Sequence, residues 1–307
     1  MTVSSATAGS QWFLNGVANI QQELTTTERQ LSSGYQIQDA SDSPAQTPAL
    51  VQLGSQLATV QNYQTNLTRV QAEANGADQA IGSAISLLEN AQTLGAEGAD
   101  STATAATRQT LAGQIQSIQQ QVVGLANTNV AGRYIFGGSA DQSPPYQVDT
   151  ASASGVDSLT TSNGSEQVVN PGGQLVYQPL TAQQIFAPVD ATGAATAGNT
   201  FVALQSLETA LTNNDQAGIT SALTSLQSAS TYVNQQQAYY GTAEKNLTSE
   251  QNSAANQTTA LQAQISGIRD ANVAQAASDL TEEQTAQTAA YSAEAEISTK
   301  SLFSYLG

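Results

Sequence analysis

Residues 50–94 read LVQLGSQLATVQNYQTNLTRVQAEANGADQAIGSAISLLENAQTL, and in and around this stretch no proline intervenes between Ala49 and Ser143. Within it Leu50, Leu53, Leu57, Val60, Leu67, Val70, Ala74, Ala77, Ile81, Ile85 and Leu88 recur at three-four spacing, interrupted mainly at Gln64. Apolar residues repeating every 3.5 positions line one stripe of a helix, so the spacing predicts one long helix with a coiled-coil seam. At about 1.5 Å per residue it would be on the order of 65 Å long, more than a compact domain of this size normally measures. The predicted molecule is therefore a rod in part.

Working outward, a turn is predicted over Gly95–Ser101, after which Leu111, Ile115, Ile118, Val122 and Leu125 mark a second helix antiparallel to the first. Upstream, Phe13, Val17, Ile20, Leu24, Thr27 and Leu31 form another seam that stops at Gly34, a natural left-handed helix terminator. Ser43-Pro44-Ala45-Gln46 reads as a capping box with proline at the first helical position, and Pro48 offers Thr47 as the alternative start. Residues 133–199 differ in kind, with five of the seven prolines and short runs, Gln167–Val169 and Gln174–Tyr177, that suit small strands. Helical spacing resumes at Phe201, Leu204, Leu207 and Leu211, then at Ile219, Leu223, Leu226 and Val233, with Asn213-Asn214-Asp215 as the turn between. It continues through Leu261, Ile265 and Ile268, and a last helix is predicted to restart at the capping box Thr281-Glu282-Glu283-Gln284.

Helices at both ends enclosing an irregular middle imply that the two halves of the chain run back beside one another. The predicted fold class is mainly α: a long antiparallel helical bundle or coiled coil formed by pairing N- and C-terminal segments, with a small β-rich insert domain. The expected divisions are a terminal coiled-coil polymerisation domain from 1–42 and 272–307, a helical rod domain from 43–135 and 200–271, and a β-rich insert over 136–199. The terminal seams, Leu14, Val17, Ile20 and Leu24 against Ala286, Ala290, Ala293 and Ile297, are poor in apolar area. Helices with so little to bury are marginal in water, so the ends are expected to order fully only against neighbouring subunits.

Composition narrows the function. The 307 residues carry seven Lys plus Arg against 24 Asp plus Glu, a formal charge of −17, and no Cys or His. Phosphate neutralisation needs concentrated cations, so neither nucleic acid nor an anionic membrane is an expected partner. Without His or Cys there is no Cys/His zinc site, thiol nucleophile, disulfide or Ser-His-Asp relay. No window approaches the roughly 20 apolar residues of a membrane span, and Met1–Gln22 has neither the cations nor the apolar run of a cleaved signal.

The sharper motifs resolve to structural readings. Gly132, Gly137 and Ser139 hold the spacing of a phosphate loop, but Gly138 stands where the lysine should be and a helix precedes it, so a flexible exit packed by Tyr134 and Phe136 is expected. Arg133 is left to pair with an acid inside the bundle or with a neighbouring subunit. Asp39 and Asp42 lack the alternating ligands of a calcium loop and are read as helix caps. Glu282 with Glu283, and Glu294 with Glu296, point different ways on a helix and are read as solvated faces rather than a hydrolytic pair. Tyr239-Tyr240 is assigned to core or interface packing. No enzyme activity, cofactor or metal is expected.

Three segments carry a family likeness. Gln30-Leu31-Ser32-Ser33-Gly34-Tyr35-Gln36-Ile37 with Ala40-Ser41-Asp42-Ser43-Pro44-Ala45, then Ile268-Arg269-Asp270-Ala271-Asn272-Val273-Ala274 through Gln284, and the tail Ser301-Leu302-Phe303-Ser304-Tyr305-Leu306 resemble the bacterial flagellin superfamily. Tyr35 and a lone Asp42 stand where the superfamily more often has a basic residue and two adjacent acids. Asn127-Thr128-Asn129 followed by Gly132-Arg133-Tyr134-Ile135-Phe136-Gly137-Gly138-Ser139 and Ser143-Pro144-Pro145-Tyr146 is similar to its hook-filament junction branch. The resemblance implies a secreted structural part of the flagellum at the hook-filament junction, with a short self-polymerising filament flagellin as the alternative. Implied partners are neighbouring copies in a ring or helical layer, the other hook-associated junction protein, flagellin and an export chaperone. The expected assembly interface is Leu14, Val17, Ile20, Leu24 and Leu31 at one end, with Ile297, Leu302, Phe303 and Leu306 at the other.

Overall fold

The proline-free stretches become helix. A computed structural model describes residues 3–160 and 164–306, with side chains described over 11–160 and 164–295. The helices are α1 (Val3–Ser33), α2 (Thr47–Ala99), α3 (Ala105–Ala126), α4 (Ala182–Phe186), α5 (Thr200–Thr212), α6 (Gln216–Arg269) and α7 (Val273–Leu306). Between α3 and α4 lie three antiparallel hairpins: β1 (Asn129–Val130) with β2 (Arg133–Tyr134), β3 (Tyr146–Val148) with β4 (Val156–Ser158), and β5 (Val168–Val169) with β6 (Leu175–Tyr177). This is the expected mainly helical, end-pairing architecture with a small β insert. The chain divides into two compact units, 1–59 with 257–307, and 60–256.

In the 60–256 unit the seam residues of α2 are the core: Leu67, Ile81 and Leu88 are fully buried, with Ile115 of α3, Leu204, Leu207 and Leu211 of α5, and Ile219, Leu226 and Val233 of α6. α2 and α6 run antiparallel, since Tyr63 Oη donates to Glu250 at 3.3 Å, while a Cβ on Gly82 would lie 3.2 Å from Gln237 Nε2 and one on Gly95 2.7 Å from Leu223 Cδ2, so residue numbers fall on α6 as they rise on α2. The insert is fastened to α6 by phenols. Tyr232 and Tyr239 donate to the carbonyls of Gln184 and Gln178, and the fully buried Tyr240 hydroxyl accepts from the Leu180 amide. Tyr239-Tyr240 therefore packs, as expected. Phe136 meets Phe186 edge-on at 5.8 Å, joining the glycine-rich exit to α4.

Several local expectations are corrected. α2 does not turn at Gly95 but runs to Ala99, because Gly95 and Gly98 are contact glycines: a Cβ on Gly95 would lie 2.7 Å from Leu223 Cδ2, and one on Gly98 would collide with Leu211 Cδ2. The turn comes at 100–104, where the buried Arg108 spans it by donating to the carbonyls of Gly98 (2.8 Å) and Asp100 (3.0 Å). Pro48 does move the start of α2 to Thr47. α7 starts at Val273, not Thr281: Asn272 Oδ1 accepts from the Gln275 amide at 3.2 Å, and Thr281 sits inside the helix with its hydroxyl turned back to the Ala277 carbonyl. The Ala-rich run after Val273 is too good a helix former to wait for the later cap.

Candidate assembly surface

The two ends of the chain meet as α1 and α7. Gln21 Nε2 donates to Tyr291 Oη at 2.8 Å and Thr27 Oγ1 donates to Glu283 Oε1 at 2.9 Å, so residue numbers fall on one helix as they rise on the other and the pair is antiparallel. On α1 the covered positions are Phe13, Val17, Ile20, Leu24, Thr27 and Leu31, a four-three-four-three-four stripe. On α7 they are Ala276, Leu280, Glu283, Gln287 and Ala290, again four-three-four-three. Two heptad seams facing one another give an antiparallel coiled-coil strip.

That strip is thin. Thr27, 8% exposed, and Ala276, 4%, are the buried members among the described residues, and the rest are half-covered. Both helices place polar groups in it, and Glu283 Oε2 is buried with no hydrogen-bond partner among the described residues. Outside the strip, Trp12 is 82% exposed, Leu14 54% and Tyr291 46%.

The predicted interface residues are thus split. Val17, Ile20, Leu24 and Leu31 lie half-covered in the α1/α7 seam, while Leu14 points out of it and Phe13 takes its place. On α7, Ala290 is in the seam, but Ala286 and Ala293 are exposed because the covered stripe runs from Ala276 through Leu280, Glu283 and Gln287. Ile297, Leu302, Phe303 and Leu306 belong to the α7 backbone, and their side chains lie outside the described residues. Sequence reading placed Thr27 on the α1 seam but missed its partner Glu283, and a seven-residue count from Ala276 would have placed Glu283 on the covered stripe.

At the foot of the pair the chain crosses itself. Gly34, with φ +76°, ends α1, and the amides of Gln36 and Ile37 donate to the Arg269 carbonyl at 2.8 and 3.3 Å. The Ala271 amide donates to the Gly34 carbonyl at 2.8 Å, and Tyr35 pairs with Asp270 as an antiparallel bridge. The Arg269 guanidinium lies 4.1 Å from the Tyr35 ring centroid and also donates to Asp270 at 3.0 Å. Asp42 is no helix cap: its carboxylate accepts from the amides of Gln38 and Asp39 and from Arg29. Those backbone donors, first Asp39 and then Gln38, hold its pKa below the usual carboxylate range. The Ser266 hydroxyl does the same for Asp270.

The other candidates settle as structure. Gly132, at φ +86°, turns the β1–β2 hairpin, and the glycine-rich run continues into a three-residue 3-10 turn, Gly138–Ala140, not the N-terminus of a long helix. Arg133 pairs within the chain, with Asp141 at 2.5 Å and Glu166 at 3.1 Å, in a network that Arg69 and Glu73 complete. Among the described residues no group of acids could hold a metal ion, and no helix is long and apolar enough to cross a membrane.

The profile of the bacterial flagellin N-terminal helical region matches residues 5–141, and that of the C-terminal helical region matches residues 223–306. The chain belongs to the bacterial flagellin family. The two matched regions carry α1 to α3 and most of α6 with α7, so the family signature coincides with the helices that pair the two ends of this flagellin-family chain. Flagellar hook-associated protein 3 of Escherichia coli K12 is 26% identical over 204 residues, 64% of this chain, and the homonymous protein of Salmonella typhimurium LT2 matches to the same extent. The match spans 63% of each relative's own length. Among solved structures, hook associated protein-3 of Legionella pneumophila shares the fold with TM-score 0.60 at 12% identity, covering 70% of this chain and 98% of that one. Bacillus cereus FlgL does so with TM-score 0.54 at 16% identity, covering 71% of this chain and 100% of that one.

Proposed function

We propose that this chain is a structural subunit of the bacterial flagellum that joins hook to filament. The observation that carries the reading is the α1/α7 pair: a seam that covers only one stripe of each helix, leaving Trp12 and Leu14 facing outward. A pair so incompletely covered is suited to packing against the same pair of the next copy, and repetition of one head-to-tail contact closes a ring or builds a helical layer. The hook-associated relatives support the junction over a filament role. Segments 1–42 and 272–307 then act as the polymerisation part, 43–135 with 200–271 as the helical body, and 136–199 as the insert. Leu14, Val17, Ile20, Leu24 and Leu31, with Ile297, Leu302, Phe303 and Leu306, form the assembly interface. The partners are neighbouring copies, the other hook-associated junction protein, flagellin and an export chaperone, and the work is done outside the cell without catalysis.

The test is genetic. Deleting the gene in its own bacterium should leave bare hooks in negative-stain images, with another flagellin shed as monomer into the medium. Bare hooks with no other filament protein shed would make this chain the filament subunit, and normal filaments would overturn both readings. In the complemented strain, Leu24→Asp or Leu302→Asp should be exported yet fail to restore filaments. Normal assembly of either variant would overturn the interface.

A further inference from the structure

Residues 136–199 have the length of a small domain but not its interior. Among the described residues their two hairpins, β3–β4 and β5–β6, are separate two-stranded sheets, and an isolated hairpin is marginal at best in water. The large rings of the insert turn to the helices instead. Tyr146 and Phe186 lie 4.9 and 6.4 Å from the Phe201 ring of α5, and Tyr177 lies 6.4 Å from the Tyr240 ring of α6. Each of these rings is 4% exposed or less. Both crossings between insert and helices are also pinned. At the entry, Asn127 at the end of α3 grips Tyr146 with its whole amide, Nδ2 donating to the carbonyl at 2.7 Å and Oδ1 accepting from the backbone amide at 3.0 Å. At the exit, a Cβ on Gly198 would lie 2.7 Å from Tyr232 Cγ, so the chain passes flat against that ring of α6. Asn199 then caps α5 by accepting from the Val202 amide at 3.0 Å. Between the crossings, Gln119 of α3 donates to the Ser154 carbonyl at 2.7 Å, and Glu166 bridges Arg69 of α2 at 3.8 Å and Arg133 at 3.1 Å.

We propose that the insert is a brace and not a hinged domain: it has no stability apart from the helices, and residues 60–256 fold and move as one body. A self-standing domain owns its core and joins its neighbour through a free linker, and a hinge swings on a few residues whose φ and ψ can change. Here the core is borrowed from α5 and α6, and the residues at both crossings are held. A load on the insert therefore passes straight into the helices. The inference concerns residues 60–256 alone and stands apart from what the chain assembles into.

The test is double electron-electron resonance on the full-length chain, which has no cysteine of its own, so two spin labels can be placed on introduced ones. Leu175→Cys with Thr224→Cys, both exposed, spans from the insert to α6, and Thr224→Cys with Thr242→Cys is a reference within α6. Without denaturant the first distance should be single and as narrow as the reference; a broad or two-peaked distribution would overturn the proposal. In a urea series both distances should be lost at one midpoint, the mark of a single cooperative unit. Loss of the insert distance at lower urea would overturn it. Phe186→Ala, a change in the insert only, should lower both midpoints together by about 1–2 M. Tyr232→Phe, which keeps the ring and removes the hydroxyl that donates to the Gln184 carbonyl, should lower both by about 0.4 M. A shift of the insert distance alone in either variant would overturn the proposal, as would unmoved midpoints in Phe186→Ala.

Discussion

Gly98 illustrates how much a single missing methyl group can decide. It sits in the last turns of α2, where a Cβ would run into Leu211 of α5 and reach 3.5 Å from Leu111 of α3. Gly113 of α3 is also helical, but a Cβ there would meet nothing within 4 Å. The same substitution should therefore have opposite signs. Gly98→Ala is expected to destabilise the chain by about 1–3 kcal/mol through overpacking. Gly113→Ala should stabilise it by about 0.5–1 kcal/mol, because alanine loses less backbone entropy in a helix. Urea unfolding followed by far-UV circular dichroism measures both. In the sequence the two glycines look alike, since what separates them is the neighbour across the interface. Arg108 is similar: its guanidinium is spent on two carbonyls at the 98–100 corner and on Asn214, 106 residues away, which no local spacing announces.

At the scale of elements, α7 shows where pattern and packing part company. Thr281 with Glu283 and Gln284 satisfies the composition of a capping box, but the chain is already helical from Val273, so Glu283 becomes a seam residue while Thr281 and Gln284 stay exposed. Glu283 then meets Thr27 and leaves one oxygen unpaired. Replacing a buried polar pair by apolar groups of matching size is often stabilising, whereas removing one partner strands the other. Thr27→Val together with Glu283→Leu should strengthen the α1/α7 pair by about 1–2 kcal/mol. Thr27→Val alone should weaken it. Limited proteolysis within residues 11–30 and 274–290 reads both outcomes, and equal digestion of the single and double variants would contradict the assignment. Where the signals are local the elements were readable: Gly34 at φ +76° ends α1, Asn214 at φ +55° marks the α5–α6 turn, and Val168–Val169 and Leu175–Tyr177 form the hairpin that their β-branched and aromatic residues suggest.

For the molecule as a whole, the ends of the chain share one unit and residues 60–256 form the other. The second unit buries several tyrosines beside its aliphatic core. Burial raises the phenol pKa values of Tyr146, Tyr177 and Tyr240, and burial with the nearby Glu250 carboxylate pushes that of Tyr63 up to about 12. A raised folded-state value means that the unfolded chain loses these protons first as pH climbs. The contribution is thus intact below about pH 10, the ordinary phenol value, and is lost progressively above it. Phenolate absorbance at 295 nm should therefore include a fraction that rises only together with the loss of helical circular dichroism. Full ionisation of all ten tyrosines before any helix is lost would show that these rings are not buried.

What the sequence determined by itself is whatever depends on neighbours along the chain. The three-four seams dictate helices, the prolines confine them, the glycines and Asn-Asn-Asp run end them, and the repetition of such seams at both termini dictates that the ends pair. Which residue meets which was decided only by the tertiary structure. Gly95 and Gly98 became contacts rather than a turn, Leu14 faced outward while Phe13 took the seam, and Tyr35 found Arg269, because those outcomes depend on the shape and phase of a partner helix far away in the sequence. Helical phase advances about 100° per residue, so the sequence lays out several stripes on α7 and the helix it packs against decides which one is covered.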